Sequence, residues 1–288
     1  MTARVERVDD AILSDEVGLE FGLYGDFRLR SSYQPIFARD FASLRPIAVE
    51  GLIAPHIAGA SVQYATFLDS VAPEDMLFIE GMCRALHLRN MRNIGADGLT
   101  LFFNFDPRVN SDLDTALGEI RAMVAQLGAY ELEPSLLVCE ITESASLDGE
   151  VLLALVAEMR SHGIRIALDD FGAGYSTQRR FEQLKPEIVK IDGDWFRTIC
   201  RHRATVGLFS TIVAGLKEQG ADVLIEGIED ATHLGIALET DANLFQGFHL
   251  ARPALAGTEF STAPLSLSDK LSETRRIVPF AAPTHQRR

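Results

Sequence analysis

Eight polar residues of types that bind divalent cations and phosphate stand where apolar runs end. They are Glu50 after RPIAV, Asn104 after LTLFF, Glu140 after SLLVC, Asp169 with Asp170 after IRIAL, Lys190 after EIV, Glu226 after DVLI, and Gln246 after ANLF. A buried strand is apolar along its length, so a costly polar group at each end marks one face. Loops are polar too, which explains any single position but not the shared register. Brought together, the five carboxylates would repel one another in a medium that screens poorly. Divalent cations resolve that repulsion. Oxygen donors from Asp, Glu and one Asn, with no clustered His or Cys, suit Mg²⁺ or Mn²⁺ better than zinc. Adjacent Asp169 and Asp170 can supply one bridging carboxylate and one ligand to a neighbouring ion. Two ions about 3.5–4 Å apart would clamp a phosphodiester and the attacking water, with Lys190 adding positive charge beside it.

Residues separated by 54, 36, 29, 21, 36 and 20 positions meet only in a fold that returns every strand end to one face. The carboxyl ends of a (β/α)8 barrel do this. Between residues 31 and 253 eight β-rich runs alternate with amphipathic stretches: SSYQPIF, RPIAVEGL, LTLFFNF, SLLVCEIT, IRIALDD, EIVKID, DVLIEGIE and ANLFQG. Apolar residues at three- and four-residue intervals predict helices over 73–91, 111–127, 148–162, 203–219 and 230–238. Trp195 and Phe196 are expected to pack a further helix start against the barrel. This reads as one α/β domain over 31–253, with a short leader at 1–30 and a loosely ordered, mildly basic tail at 254–288. On these lengths no further domain is expected in the leader or the tail. The segment DDFGAGYS opens like a dinucleotide fingerprint, but Thr177 stands at the third glycine position and two aspartates would face the pyrophosphate.

The chain has 288 residues, 41 acidic against 27 basic side chains, a formal charge of −14, and 47 % apolar residues. That acidity argues against DNA or RNA polymers as partners and leaves a metal-assisted phosphate site open. Cys83, Cys139 and Cys200 lie far apart without C-x-x-C spacing and read as reduced core residues. The histidines form no ligand motif, and His56, His162, His233 and His249 read as surface or loop residues. No signal-peptide block follows Arg4 and Arg7, and the longest uncharged run, 51–68, is broken by Pro55, His56 and two glycines. A cytoplasmic protein without a membrane span is expected.

The blocks YQPI at 33–36, EGL at 50–52, NF at 104–105, EITES at 140–144, DDFGAGYS at 169–176, KID at 190–192, EGIE at 226–229 and QGFHLARP at 246–253 run in an order that resembles the EAL domain, a family of bacterial cyclic di-GMP phosphodiesterases. The resemblance implies a TIM-like (β/α)8 barrel with an antiparallel first strand, and hydrolysis of cyclic di-GMP to linear pGpG with two Mg²⁺ or Mn²⁺ ions in bacterial second-messenger signalling. It makes Glu50, Asn104, Glu140 and Asp169 ligands of the first metal, with Asp169 shared and Asp170 on the second. Lys190 would hold the water and phosphate, and Glu226 would stand on the water side. Glu143 would anchor the DDFG loop, and Glu229 would be a supporting carboxylate. Gln34, Leu52, Asp192, Gln246 and Gly247 fall on the substrate side. A second copy of the chain and a regulatory protein are candidate partners.

Two departures stand out. The family's E-A-L is here E-G-L, with Gly51, and the arginine usual two residues past the leucine is Ala54. A charge-assisted bond to phosphate contributes about 1.5–3 kcal/mol, so that loss weighs on substrate binding. Arg165 and Arg252 are candidates to replace it. The alternative reading is a degenerate receptor or interaction module that binds cyclic di-GMP or a protein without turnover.

Overall fold

The computed structural model describes residues 7–106, 113–142, 149–174 and 178–273. Eight strands close into a ring: β1 (Phe27–Asp40), β2 (Ser43–Ile57), β3 (Thr100–Asn104), β4 (Leu137–Thr142), β5 (Arg165–Phe171), β6 (Ile188–Ile191), β7 (Asp222–Ile225) and β8 (Leu244–Phe245). Strands β2 to β8 pair in parallel in sequence order, and β1 completes the ring by pairing antiparallel with both β2 and β8. All eight expected strands are present, and the antiparallel first strand that the family resemblance implies is there.

Strand side chains alternate between faces, so each strand sends one residue in two to the interior. Ile36, Ala48, Phe102, Val138, Ala167, Ile188, Leu224 and Leu244, one from each strand, form a separate apolar cluster. This plugs the barrel. The intervening residues, such as Val49, Leu101, Phe103, Cys139, Leu168, Val189 and Ile225, pack outward with the helices in the larger core. The helices described around the barrel include α1 (Met76–Asn90), α2 (Leu113–Leu127), α3 (Gly149–Ser161), α4 (Gln178–Leu184), α5 (Gly193–Cys200), α6 (Arg203–Glu218) and α7 (Ala231–Leu238). Pro73 opens a 3₁₀ turn ahead of α1, where its missing N–H removes no helical bond. The short α4 was not expected; seven residues are too few for a helical period to stand out. Helix α5 contains Trp195 and Phe196 as expected and is capped by Asp192, whose carboxylate accepts from the Trp195 N–H at 2.7 Å.

The described residues before and after the barrel add paired segments to it. Strand Ile12–Ser14 pairs with strand Glu20–Tyr24, which in turn pairs antiparallel with β1 through the turn at Gly25 and Asp26. Buried Asn90 holds this strand like a neighbouring backbone, accepting from the Glu20 N–H and donating to the Glu20 carbonyl at 2.9 and 2.8 Å. After the barrel, Ala254–Leu255 pairs with β1, Leu265–Ser266 pairs with β2, and helix Leu267–Ser272 packs on α7. Short paired segments of two residues carry no periodic signal, and the prolines around them obscured the order. The basic pairs at 275–276 and 287–288 lie outside the described residues. Among the described residues no helix is long and apolar enough to cross a membrane.

Candidate active site

Two residues nearer the barrel mouth than the apolar plug, on the same inward face, the eight strands carry Gln34, Glu50, Asn104, Glu140, Asp169, Lys190, Glu226 and Gln246. Lys190 is the centre of this layer. Its ammonium, 2 % exposed, lies 3.2 Å from Glu50, 2.5 Å from Glu140, 3.0 Å from Asp169 and 2.9 Å from Glu226. Gln246 donates from Nε2 to the other oxygen of Glu50 at 2.9 Å, which fixes that carboxylate from two sides.

One ammonium does not balance four carboxylates. Burial, with Glu50 and Asp169 beside it, pushes the Glu140 carboxyl well above its ordinary range against the pull of Lys190, and Glu226 is raised to about 8, chiefly by burial. Burial draws the Lys190 ammonium down, but Asp169, Glu140, Glu226 and Glu50 outweigh it and hold it well above the usual lysine value. Both carboxylate oxygens of Glu140 are buried, and Oε2 has no hydrogen-bond donor. An all-oxygen set with surplus negative charge and an unanswered buried oxygen fits hard divalent cations. Among the described residues no three Asp, Glu, His or Cys side chains converge as a closed metal cage; the carboxylates are drawn onto Lys190.

Asp170 follows at a break in the β5–β6 pairing, with φ of +59°. A left-handed aspartate at a bulge is an uncommon conformation of the kind that clusters at functional sites. It sends Asp169 inward and Asp170 to the open edge, where partial burial and Asp169 raise its carboxyl to about 6. Gly172, at φ +101°, must lack a Cβ because the Trp195 ring overlaps that position. Gly247 is equally constrained by the backbone of Ile228, whose N–H donates to the Gln246 carbonyl at 3.1 Å.

A cavity of about 330 Å³ opens over the layer, its wall completed by Gln34, Leu52, Asp170, Arg197, Glu229, Gly247 and Phe248. Gln34 is steadied by its amide, which donates to the Ala251 carbonyl at 3.3 Å. Most sequence-predicted residues therefore share one chamber; Glu140 is fully buried behind its lining, against Lys190, and Asn104 and Asp192 stand elsewhere. Asn104 pairs in register with Glu140 but is exposed, and it lines a neighbouring cavity of about 470 Å³ that shares Leu52 with the first. Asp192 does not line the chamber, its carboxylate being engaged as the cap of α5. Glu143 lies outside the described residues.

The departure at 51 has a packing explanation, and position 54 has a cationic neighbour. Gly51 lies under the buried ring of His87 on α1. Ala54 pairs directly with Arg30 across the β1–β2 hairpin, so the two side chains leave on one face. Arg165 is at the opposite end of the barrel, donating to Thr100 at 3.1 Å, and Arg252 stacks 4.5 Å over the Phe248 ring. Cys83, Cys139 and Cys200 are free thiols. Sequence reasoning missed Arg197, His87 and Phe248. A glycine following KID and another within EGIE were the available signal for Arg197, whose guanidinium lies against both.

A model of the EAL domain family matches residues 25–253. The chain is 27 % identical over 227 residues to the cyclic di-GMP phosphodiesterase RocR of Pseudomonas aeruginosa, covering 77 % of this chain and 56 % of RocR. It is 30 % identical over 125 residues to the bifunctional diguanylate cyclase/cyclic di-GMP phosphodiesterase MucR of the same organism, covering 43 % of this chain and 18 % of MucR. The chain spans less than a fifth of the length of the first curated relatives it matches. Among solved structures, Klebsiella pneumoniae BlrP1 in its calcium and cyclic di-GMP complex shares the fold, with a TM-score of 0.71 at 23 % identity over 83 % of this chain and 59 % of that one. The family match extends over most of the sequence and contains all eight strands of the barrel, and on that ground the chain belongs to the EAL domain family.

Proposed function

We propose that the chain hydrolyses one phosphodiester bond of cyclic di-GMP to give linear pGpG. The observation that carries this reading is the convergence of Glu50, Glu140, Asp169 and Glu226 on buried Lys190 at the barrel mouth. Relatives named as cyclic di-GMP phosphodiesterases support the substrate class.

In this reading Glu50, Asn104, Glu140, Asp169 and Asp170 would hold two Mg²⁺ or Mn²⁺ ions, which would supply charge neutralisation and activation of water. Lys190 directs its ammonium toward the attacked phosphate, and it remains charged because the carboxylates around it favour that form. Glu226 orients the water. Gln246 fixes Glu50. Gln34, Leu52 and Gly247 border the nucleotide, and Glu229 steadies the wall. Water adds to phosphorus, the bond from phosphorus to the ribose 3′ oxygen breaks, and a 5′ phosphate and a 3′ hydroxyl result. Confining the substrate against preset charges lowers the barrier because little reorganisation is needed during the reaction.

Separating pGpG from cyclic di-GMP after incubation with the purified chain and Mn²⁺ tests the proposal. Product formation that Glu140→Gln abolishes supports it. Retained binding of cyclic di-GMP without product would favour the receptor reading.

A further inference from the structure

Among the described residues lining the chamber, Lys190 and Arg197 are the cations. They are differently placed. Lys190 is enclosed by four carboxylates, whereas the Arg197 side chain is 26 % exposed and stands at the opening. Its seat is unusual. Gly193, one helical turn earlier on α5, and Gly227, just after β7, approach so closely that a Cβ on Gly193 would lie 3.0 Å from the Gly227 Cα and 3.1 Å from Arg197 Nη1. A Cβ on Gly227 would overlap that same guanidinium nitrogen. The two glycines thus form a saddle on which the guanidinium rests. Arg197 pairs with Asp194, whose side chain is 90 % exposed, and lies 3.5 Å from Glu229, whose side chain is 38 % exposed. Exposed pairs of this kind are weak and exchange readily for a stronger anion.

A cyclic dinucleotide carries two phosphates. The carboxylate floor, loaded with cations, accounts for the phosphate that is cleaved. The other lies against the remaining wall, which carries Glu229, and it needs positive charge there. A guanidinium offers a planar fork that matches phosphate oxygens in pairs. We propose that Arg197, seated on the Gly193–Gly227 saddle, binds the uncleaved phosphate of the cyclic dinucleotide. Glu229 then acts as a positioning residue for Arg197. This inference rests on the phosphodiesterase reading above.

The test compares cyclic di-GMP with bis(p-nitrophenyl) phosphate, a diester with a single phosphate, in steady-state assays with Mn²⁺. Arg197→Ala should raise KM for cyclic di-GMP about tenfold to a hundredfold with kcat changed about threefold or less. The ratio of kcat/KM for the two substrates should fall by a similar factor. Arg197→Lys, which keeps the charge and loses the fork, should fall between wild type and Arg197→Ala, and it serves alone if the alanine variant does not fold. Equal losses on both substrates, or an unchanged KM for cyclic di-GMP, would overturn the assignment of Arg197. Wild-type protein that fails to turn over cyclic di-GMP overturns the functional reading itself, and the inference with it.

Discussion

The ring of His87 occupies the place beside Gly51 that an alanine methyl would need: a Cβ at position 51 would lie 2.7 Å from His87 Cγ. His87 cannot easily withdraw, because its Nδ1 is 3.1 Å from the Ser31 hydroxyl and its carbonyl accepts from Tyr33 at 2.7 Å. Restoring the family's alanine should therefore destabilise this chain. We expect Gly51→Ala to cost about 1–3 kcal/mol in urea unfolding. Adding His87→Ala should make the double variant less destabilised than the sum of the two single changes. Strictly additive losses would contradict the contact.

The same histidine sets a pH dependence. Burial lowers the His87 imidazole to about 3, so the folded protein keeps it neutral while the unfolded chain titrates near 6.5. A group with a lowered folded value contributes stability that is present above pH 6.5 and is lost as pH falls toward 3. Wild-type stability should drop between pH 6 and 4 with a slope from this group of about 1.4 kcal/mol per pH unit, and His87→Asn should lack that component. Parallel pH profiles for the two proteins would contradict the assignment.

Cation binding should be visible without turnover. Glu226, raised to about 8, and Asp170, raised to about 6, hold protons that a bound cation must displace. For these raised carboxylates, stability without cation is fullest below about pH 4 and is lost as pH climbs through those values. Mn²⁺ should therefore raise the melting temperature more at pH 8.5 than at pH 6. Glu140→Gln should reduce the effect at both. A Mn²⁺ shift that shrinks as pH rises would contradict the carboxylate site.

Glycines separate the rim from the helices. Gly247→Ala would drive a methyl into the Ile228 backbone and should cost about 3 kcal/mol or more, with loss of activity through Gln246. Gly215→Ala, in the last turn of α6 with no atom near the added methyl, should stabilise by about 0.5–1 kcal/mol. Chemical denaturation of both variants distinguishes them, and a tolerated Gly247→Ala would contradict the close approach.

Much of this architecture is legible because a strand repeats every two residues. Ile36, Ala48 and Val138 in the plug are followed toward the mouth by Gln34, Glu50 and Glu140, and the same step links Ile188 to Lys190 and Leu224 to Glu226. Polar types at that fixed offset expose the layer before any contact is known. What depends on pairs distant in sequence is not legible. Nothing local to Gly51 points to His87, and the glycines at 193 and 227 hint at a close approach without naming Arg197 as the group between them. The strand at Glu20–Tyr24 depends on Asn90 and the hairpin to β1, and Asp192 serves a helix cap that its motif did not reveal. The positive φ of Asp170 arises from the break in pairing between β5 and β6.

The central claim is that the carboxylates around Lys190 form a cation-dependent hydrolytic site. The most direct measurement is the rate of pGpG release from cyclic di-GMP by the purified chain with Mn²⁺, with EDTA, and with Mn²⁺ in the Asp169→Asn variant. We predict release with Mn²⁺ and a loss of at least about a hundredfold in the other two arms. Cyclic di-GMP that stays intact with Mn²⁺, or release that continues undiminished in EDTA or in the Asp169→Asn variant, would contradict the account.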